Sequence, residues 1–265
     1  MRKACRIFFG ILLVSILGGL AWTVLRKPQV PNPIYKGKSL SQWLEQVDVS
    51  KGQSALTTNA AEAVLHMGTN CIPYLLWEAG TQDSELKLSV MRFLNRFLPD
   101  RYSVFGSGQR HLSAMRGLFV LGGAAIPPAM DGLTNADKQI RLGSEVALLA
   151  LRARSPIVTQ GLIANLHDKN VAVRAQAAQT LGFLGRDESE NVLPALMQLL
   201  DDKNENIQHA GALGLYALGQ KAKPAIPKLL AMLAKTNSNN PDDIFVLEFA
   251  IKGIDPDAAA KAGIK

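Results

Sequence analysis

Cysteine is nearly absent from this chain. Of 265 residues, only Cys5 and Cys71 carry a thiol, so no disulfide framework organises the fold. Cys5 sits at the head of an apolar run and Cys71 in the body; if that run crosses a membrane, the two cannot pair within one chain. Histidine is as scarce. His66, His111, His167 and His209 fall in four separate stretches, and none has a second His, Cys or carboxylate at ligand spacing on its own helical face. A zinc site needs three or four convergent ligands, so no metal ligand is expected. No G-x-x-x-x-G-K-[ST], H-E-x-x-H, G-x-S-x-G or G-x-G-x-x-G run occurs, and Ser113, Ser144 and Ser155 have no base at a readable spacing. The sequence therefore offers no catalytic residue and no cofactor.

Acidic residues are missing from one place in particular. Residues 1–27 contain Arg2, Lys3, Arg6, Arg26 and Lys27 and not one Asp or Glu. Setting those five aside leaves 24 bases against 22 acids, so the net charge of +7 belongs mostly to the N-terminal segment and the body carries only +2. Nucleic-acid binding rests on clustered Lys and Arg, and a nearly neutral body does not supply them.

What the N-terminal segment has is a run of 19 uncharged residues, Ile7 to Leu25. At about 1.5 Å per residue this helix would be roughly 28 Å long, close to the ~30 Å of a hydrocarbon core. Basic residues flank it on both sides. Two readings compete: an uncleaved transmembrane anchor or a signal peptide. The length of the run, the Arg26–Lys27 stop and the lack of a clean A-x-A site favour the anchor. Either way the body is exported, as a membrane-anchored periplasmic or cell-surface domain or as a secreted one. The next segment, 28–54, opens with P-Q-V-P-N-P, which favours an extended stalk. It continues with Ser39 and Gln42 at capping-box spacing and an apolar stripe of Leu40, Trp43, Leu44 and Val47, a short helix suited to capping the start of a helical array.

From residue 55 to 265 the chain repeats itself. Asp168 to Gly219, laid on itself with a shift of 34, sets Asp168 on Asp202, Val173 on Ile207, Leu181 on Leu215 and Gly185 on Gly219. Helical periodicity inside a repeat of this length is the mark of a stacked helix-pair solenoid. Each unit reads as one helix, such as Val192–Leu200 with Pro194 in its first turn, an acidic turn at Asp201–Asp202, and a second helix lined with Ala and Gly. Asp201 and Asp202 suit the capping of that second helix, and Gly219 a left-handed C-cap. Neither helix can bury its apolar face alone, so neighbouring repeats must do so. A stretch near 99–108, P-D-R-Y-S-V-F-G-S-G, interrupts the register, since Gly68 and Gly122 lie 54 residues apart.

The P-A-L-x-x-L-L-D-D run at Pro194–Asp202 and the V-R-x-x-A-A-x-x-L-G-x-L-G run at Val173–Gly185 resemble HEAT repeats, in the short form also seen in bilin-lyase-like proteins. The resemblance covers roughly 55–254. With Y-x-G-K-x-L-S-x-W-L near the start and D-P-D-A-A-A-K-A-G-I-K at the end, it extends to exported bacterial HEAT proteins of undefined role. It implies an all-α, right-handed solenoid of antiparallel helix pairs behind an N-terminal transmembrane helix. It also implies that Arg141 and Arg174 hold the family's arginine position in a ladder with turn acids. Two cysteines and no pigment-binding motif argue against carrying over lyase activity. The expected function is a non-catalytic scaffold. It would be tethered through residues 7–25 and bind a protein or peptide on a concave face lined by second helices, at Arg174, Gln176, Gln179, His209, Leu213 and Tyr216. The alternative is an enzyme with a site near 99–111, drawing on Arg101 or His111.

Overall fold

A computed structural model describes residues 30–46, 56–81, 107–235 and 241–264. The apolar run 7–25, the helix expected at 84–98 and most of the 99–108 insertion lie outside the described residues. The described chain is mostly helical.

It begins with a two-stranded antiparallel hairpin, β1 (Ile34–Tyr35) and β2 (Lys38–Ser39). The turn residues Lys36 and Gly37 have φ of 47° and 73°, the paired positive-φ geometry that matches the strand twist of a tight hairpin. Helix α1 (Leu40–Leu44) follows directly. Its capping box is formed as the sequence indicates, with the Ser39 amide donating to Gln42 Oε1 at 2.9 Å. Trp43 is buried and its indole N–H donates to the Tyr35 carbonyl, which fixes the hairpin on the helix.

The helices that follow are α2 (Thr58–Met67), α3 (Ile72–Ala79), α4 (Ser107–Leu121), α5 (Ile126–Gly132), α6 (Lys138–Ala150), α7 (Pro156–Asn165), α8 (Val171–Leu184), α9 (Ser189–Leu199), α10 (Glu205–Leu218), α11 (Ile226–Lys235), α12 (Pro241–Ile254) and α13 (Pro256–Lys261). From α5 to α12 they form four pairs. The first helices share one buried column, Ala129, Leu162, Leu196 and Leu229, all 0 % exposed. The second helices share another, Leu148, Leu181, Leu215 and Ile251, also 0 % exposed. Equivalent residues of successive repeats thus build one continuous core, because each pair leaves an apolar face for the next to cover.

Small residues set how closely the second helices approach. A methyl group on Gly182 would run into the Gly214 carbonyl oxygen, and one on Gly214 would come within 2.7 Å of the Ala178 carbonyl. Helices α8 and α10 therefore meet backbone to backbone. The same device places α3. Its C-terminal Gly80 and Gly143 of α6 leave no room for a Cβ against the opposing backbone, and α3 lies along α6. The row of second helices thus continues past α6 into α3, although α3 opens with the Ile-Pro signature of a first helix. Helix α4 packs on α3 and α2 instead, with Gly117 against Leu75 and Leu44. The stretch Arg110–Gly132 is long and apolar enough to cross a membrane by length and composition. Here it is α4, a 3-10 turn and α5, with Ala114, Met115, Leu118 and Ala129 in the core.

Two local expectations are corrected. Pro194 lies inside α9 rather than in its first turn, since the helix already begins at Ser189. Gly219 has φ 69° but ψ −143°, a glycine-permitted region other than the left-handed helix, from which a 3-10 turn leads into α11. Gly68 and Gly122 play the same part with φ of 55° and 54°, whereas Gly185 has an ordinary φ of −84°.

Candidate functional site

The second helices are held in register by a repeated turn. Asn135, Asp168 and Asp202 each accept, through a side-chain oxygen, the amide two residues on, at 2.9, 2.7 and 2.8 Å. The amides belong to Asp137, Asn170 and Asn204, and it is these residues that cap α6, α8 and α10. The acids at 201 and 202 are therefore not the caps; Asp201 pairs with Lys228 Nζ at 2.5 Å. Six residues beyond each turn acceptor, Arg141, Arg174 and Gln208 reach back to the backbone carbonyls of Asn135, Asp168 and Asp202 at 2.7, 2.9 and 2.7 Å. Gln208 makes with an amide the bond that its two predecessors make with a guanidinium.

Arg141 also crosses to the next repeat. Its Nε and Nη2 donate to the two carboxylate oxygens of Asp168 at 2.7 and 3.0 Å, a two-pronged contact, with Arg141 5 % exposed. Burial alone would raise the Asp168 carboxyl, but the Arg141 guanidinium and the Asn170 amide hold it below the usual carboxylate range. Arg174 forms no such rung. Its Nη1 goes to the Asp168 carbonyl, and its buried Nε has no hydrogen-bond partner among the described residues.

Beside this rung lies a second buried polar cluster. Glu145 is 0 % exposed, and its Oε1 accepts from Asn165 Nδ2 at 2.8 Å. Burial pushes the carboxyl up to about 9, against the opposing pull of the Asn165 bond. The equivalent positions in the next two repeats, Ala178 and Ala212, hold buried methyl groups. Glu145 is thus a neutral acid in a column of alanines.

A third cluster joins α3 to α4. The Tyr74 hydroxyl donates to Glu78 Oε1 at 2.8 Å, and burial drives its phenol above the ordinary range. Arg110 Nε lies 3.7 Å from Glu78 Oε2. His111 Nδ1 is 2.8 Å from the Ala79 carbonyl, so that nitrogen carries the proton. The two described members of the 99–111 region with functional side chains, Arg110 and His111, therefore both fasten α4 to α3; Arg101 lies outside the described residues. Cys71 is fully buried, bonds the Gly68 carbonyl at 3.0 Å, and has its thiol pushed up to about 11 by burial. Among the described residues no three His, Cys, Asp or Glu converge as metal ligands.

The six residues expected on the partner-binding face do not stay together. Arg174 belongs to the turn just described. Gln176 donates to Thr180 Oγ1 at 3.1 Å along its own helix. His209 Nε2 meets Asp243 Oδ1 of α12 at 2.5 Å, and the Tyr216 ring lies 4.6 Å from that of Phe249, over Gly253. His209 and Tyr216 therefore serve the contact between repeats. Gln179 and Leu213 remain, half-buried at equivalent positions 34 residues apart on α8 and α10. Sequence reasoning missed the most open apolar groups near them: Phe183 at 46 % exposure, Phe245 at 67 % and Phe249 at 41 %. The signal was present, because Phe183 stands where the next repeat has Ala217.

Antiparallel helix pairs stacked through common core columns define an α-helical repeat protein. A family model described as HEAT repeats matches residues 159–240, the stretch that holds most of α7 and all of α8 to α11, and the helix pairs there are similar to that family's repeats. No curated protein matches the chain.

Proposed function

We propose that this chain is a non-catalytic scaffold, tethered to a membrane through residues 7–25 and with its body exported, that binds a protein or peptide segment along its second helices. The observation that carries the reading is the pair Gln179 and Leu213, in register on neighbouring helices and half open to solvent, with Phe183 exposed one turn beyond Gln179. A stacked array presents such positions in a line, which suits an extended or helical segment bearing apolar side chains at intervals. Further support comes from the polar side chains of the array: Arg141, Arg174, Gln208 and His209 are taken up in turns and in contacts between repeats.

Proximity crosslinking in the native host, followed by mass spectrometry, tests the reading. Recurrent partners should be recovered and then lost when Gln179, Phe183 and Leu213 are together changed to Glu. Partners that persist in that variant but vanish when residues 99–108 are deleted would move the site to the insertion. Turnover of a small molecule with no partner recovered would overturn the scaffold reading.

A further inference from the structure

The last second helix ends the described row, yet its outward face is built like an internal one. Helices α10 and α12 are each 14 residues long, so they superpose with a shift of 36. His209 then falls on Phe245, Leu213 on Phe249 and Tyr216 on Lys252. On α10 the first and last of these positions look toward the following repeat, since His209 reaches Asp243 and Tyr216 packs on Phe249, while Leu213 stays half open beside them. On α12 the corresponding Phe245 and Lys252 lie open to solvent, while Phe249 packs one side on Tyr216 and keeps the other exposed. The short α13 that follows leaves Phe245 67 % and Phe249 41 % exposed, with their rings stacked at 6.0 Å and 19°. Pro241, Phe245, Phe249 and Lys252 form one exposed stripe down the helix. Stacked apolar rings on an open helix face mark a contact surface rather than a solvated one.

We propose that a second copy of this chain covers that face, two α12 helices packing antiparallel across a twofold axis. The stripe is self-complementary in that arrangement. An antiparallel pair centred on residue 247 sets Phe245 opposite Phe249 of the other copy, twice over. It also sets Lys252 opposite position 242, in the first turn of the other helix, where the sequence has Asp242. Both ends of the interface therefore pair a base with an acid, and its centre buries four aromatic rings. A parallel pairing would instead oppose lysine with lysine and acid with acid. A twofold interface is isologous, so one stripe supplies both halves. The contact continues one the chain already uses, in which α12 covers the equivalent face of α10.

Sedimentation velocity of the detergent-solubilised full chain, over a micromolar concentration series, tests this. A two-chain species should form. Phe245→Glu, at a site already open to solvent, should keep the helical circular dichroism and give one chain per particle. Lys252→Asp should raise the dimer Kd about tenfold, and adding Asp242→Lys should restore it, because reversal at both ends re-forms both pairs. A wild-type chain that stays single throughout overturns the proposal. So does a dimer that survives Phe245→Glu, which would place the contact elsewhere, for instance in residues 7–25. Failure of the double reversal to restore association overturns the antiparallel register.

Discussion

Glu145 gives the array a dependence on pH that the fold alone would not have. Its carboxyl ionises near 4.5 in the unfolded chain but only near 9 in the folded one, where burial favours the neutral acid. The folded state therefore holds a proton that the unfolded state has released, and linkage fixes the sign: stability falls as pH rises between those values. The contribution is fully present below about pH 4.5 and is lost progressively toward pH 9. The limiting slope is about 1.4 kcal/mol per pH unit, so between pH 5 and 8 the loss is about 2 to 4 kcal/mol. Glu145→Gln keeps the shape and the acceptor for Asn165 Nδ2 and removes the titration. Urea unfolding followed by circular dichroism, at about pH 5, 6.5 and 8, should show variant and wild type within about 0.5 kcal/mol at the acid end and the variant more stable by a few kcal/mol at the basic end. Comparing the two chains cancels the other titrating groups, including Asp168 and Arg141, which face the same pocket. Parallel stability curves would refute the reasoning, since they would mean that Glu145 is ionised in the fold.

Leu181→Ala should destabilise by about 2 to 5 kcal/mol in chemical denaturation, because the side chain is fully buried in the column it shares with Leu148 and Leu215; a change under about 0.5 kcal/mol would mean that the repeats are out of register. Gly182→Ala should cost about 1 to 3 kcal/mol or more, since the new methyl meets the Gly214 carbonyl and only separation of α8 from α10 makes room. Arg141→Ala should cost about 3 to 5 kcal/mol by leaving Asp168 buried without its partner, whereas Arg174→Ala should cost distinctly less in the same assay. A reporter fused after Lys265 should be active only outside the cytoplasm, and N-terminal sequencing of the mature protein should read from Met1 if residues 7–25 stay as an anchor.

Much of the fold was legible because a repeat states its core several times over. Leu181 and Leu215 could be matched by eye, and the neighbouring repeats, at shifts of 33 and 36, add Leu148 and Ile251, all fully buried. The helix pairs from Pro156 onward follow from that register and from Gly and Pro punctuation. The place of α3 was not legible. Its Ile-Pro start marks it as a first helix, but Gly80 and Gly143 allow a backbone contact that seats it beside α6 in the row of second helices. Only the pairing of two glycines far apart in sequence carries that information, and neither shows it alone. The capping residues were misassigned for a related reason. Asp202 and Asn204 are both good caps by type, and the choice between them rests on which one has a free helical amide in reach.

The candidate surface was the least legible part, and the reason is geometric. A side chain on a second helix can point at the open face or at the next repeat with a rotation of about 100° between neighbouring residues. Periodicity locates the buried stripe well, but it does not separate the two half-exposed flanks. His209 and Tyr216 fall on the flank that α12 covers, and Gln179 and Leu213 on the flank that stays open. The last repeat breaks this ambiguity, since at Phe245, the equivalent of His209, the covered flank is exposed and keeps its apolar character. A polar residue would serve solvent there at no cost to the core. A phenylalanine in that place, stacked on Phe249 and with Asp242 and Lys252 toward the two ends of the helix, suits the proposed pairing with the same helix turned end for end.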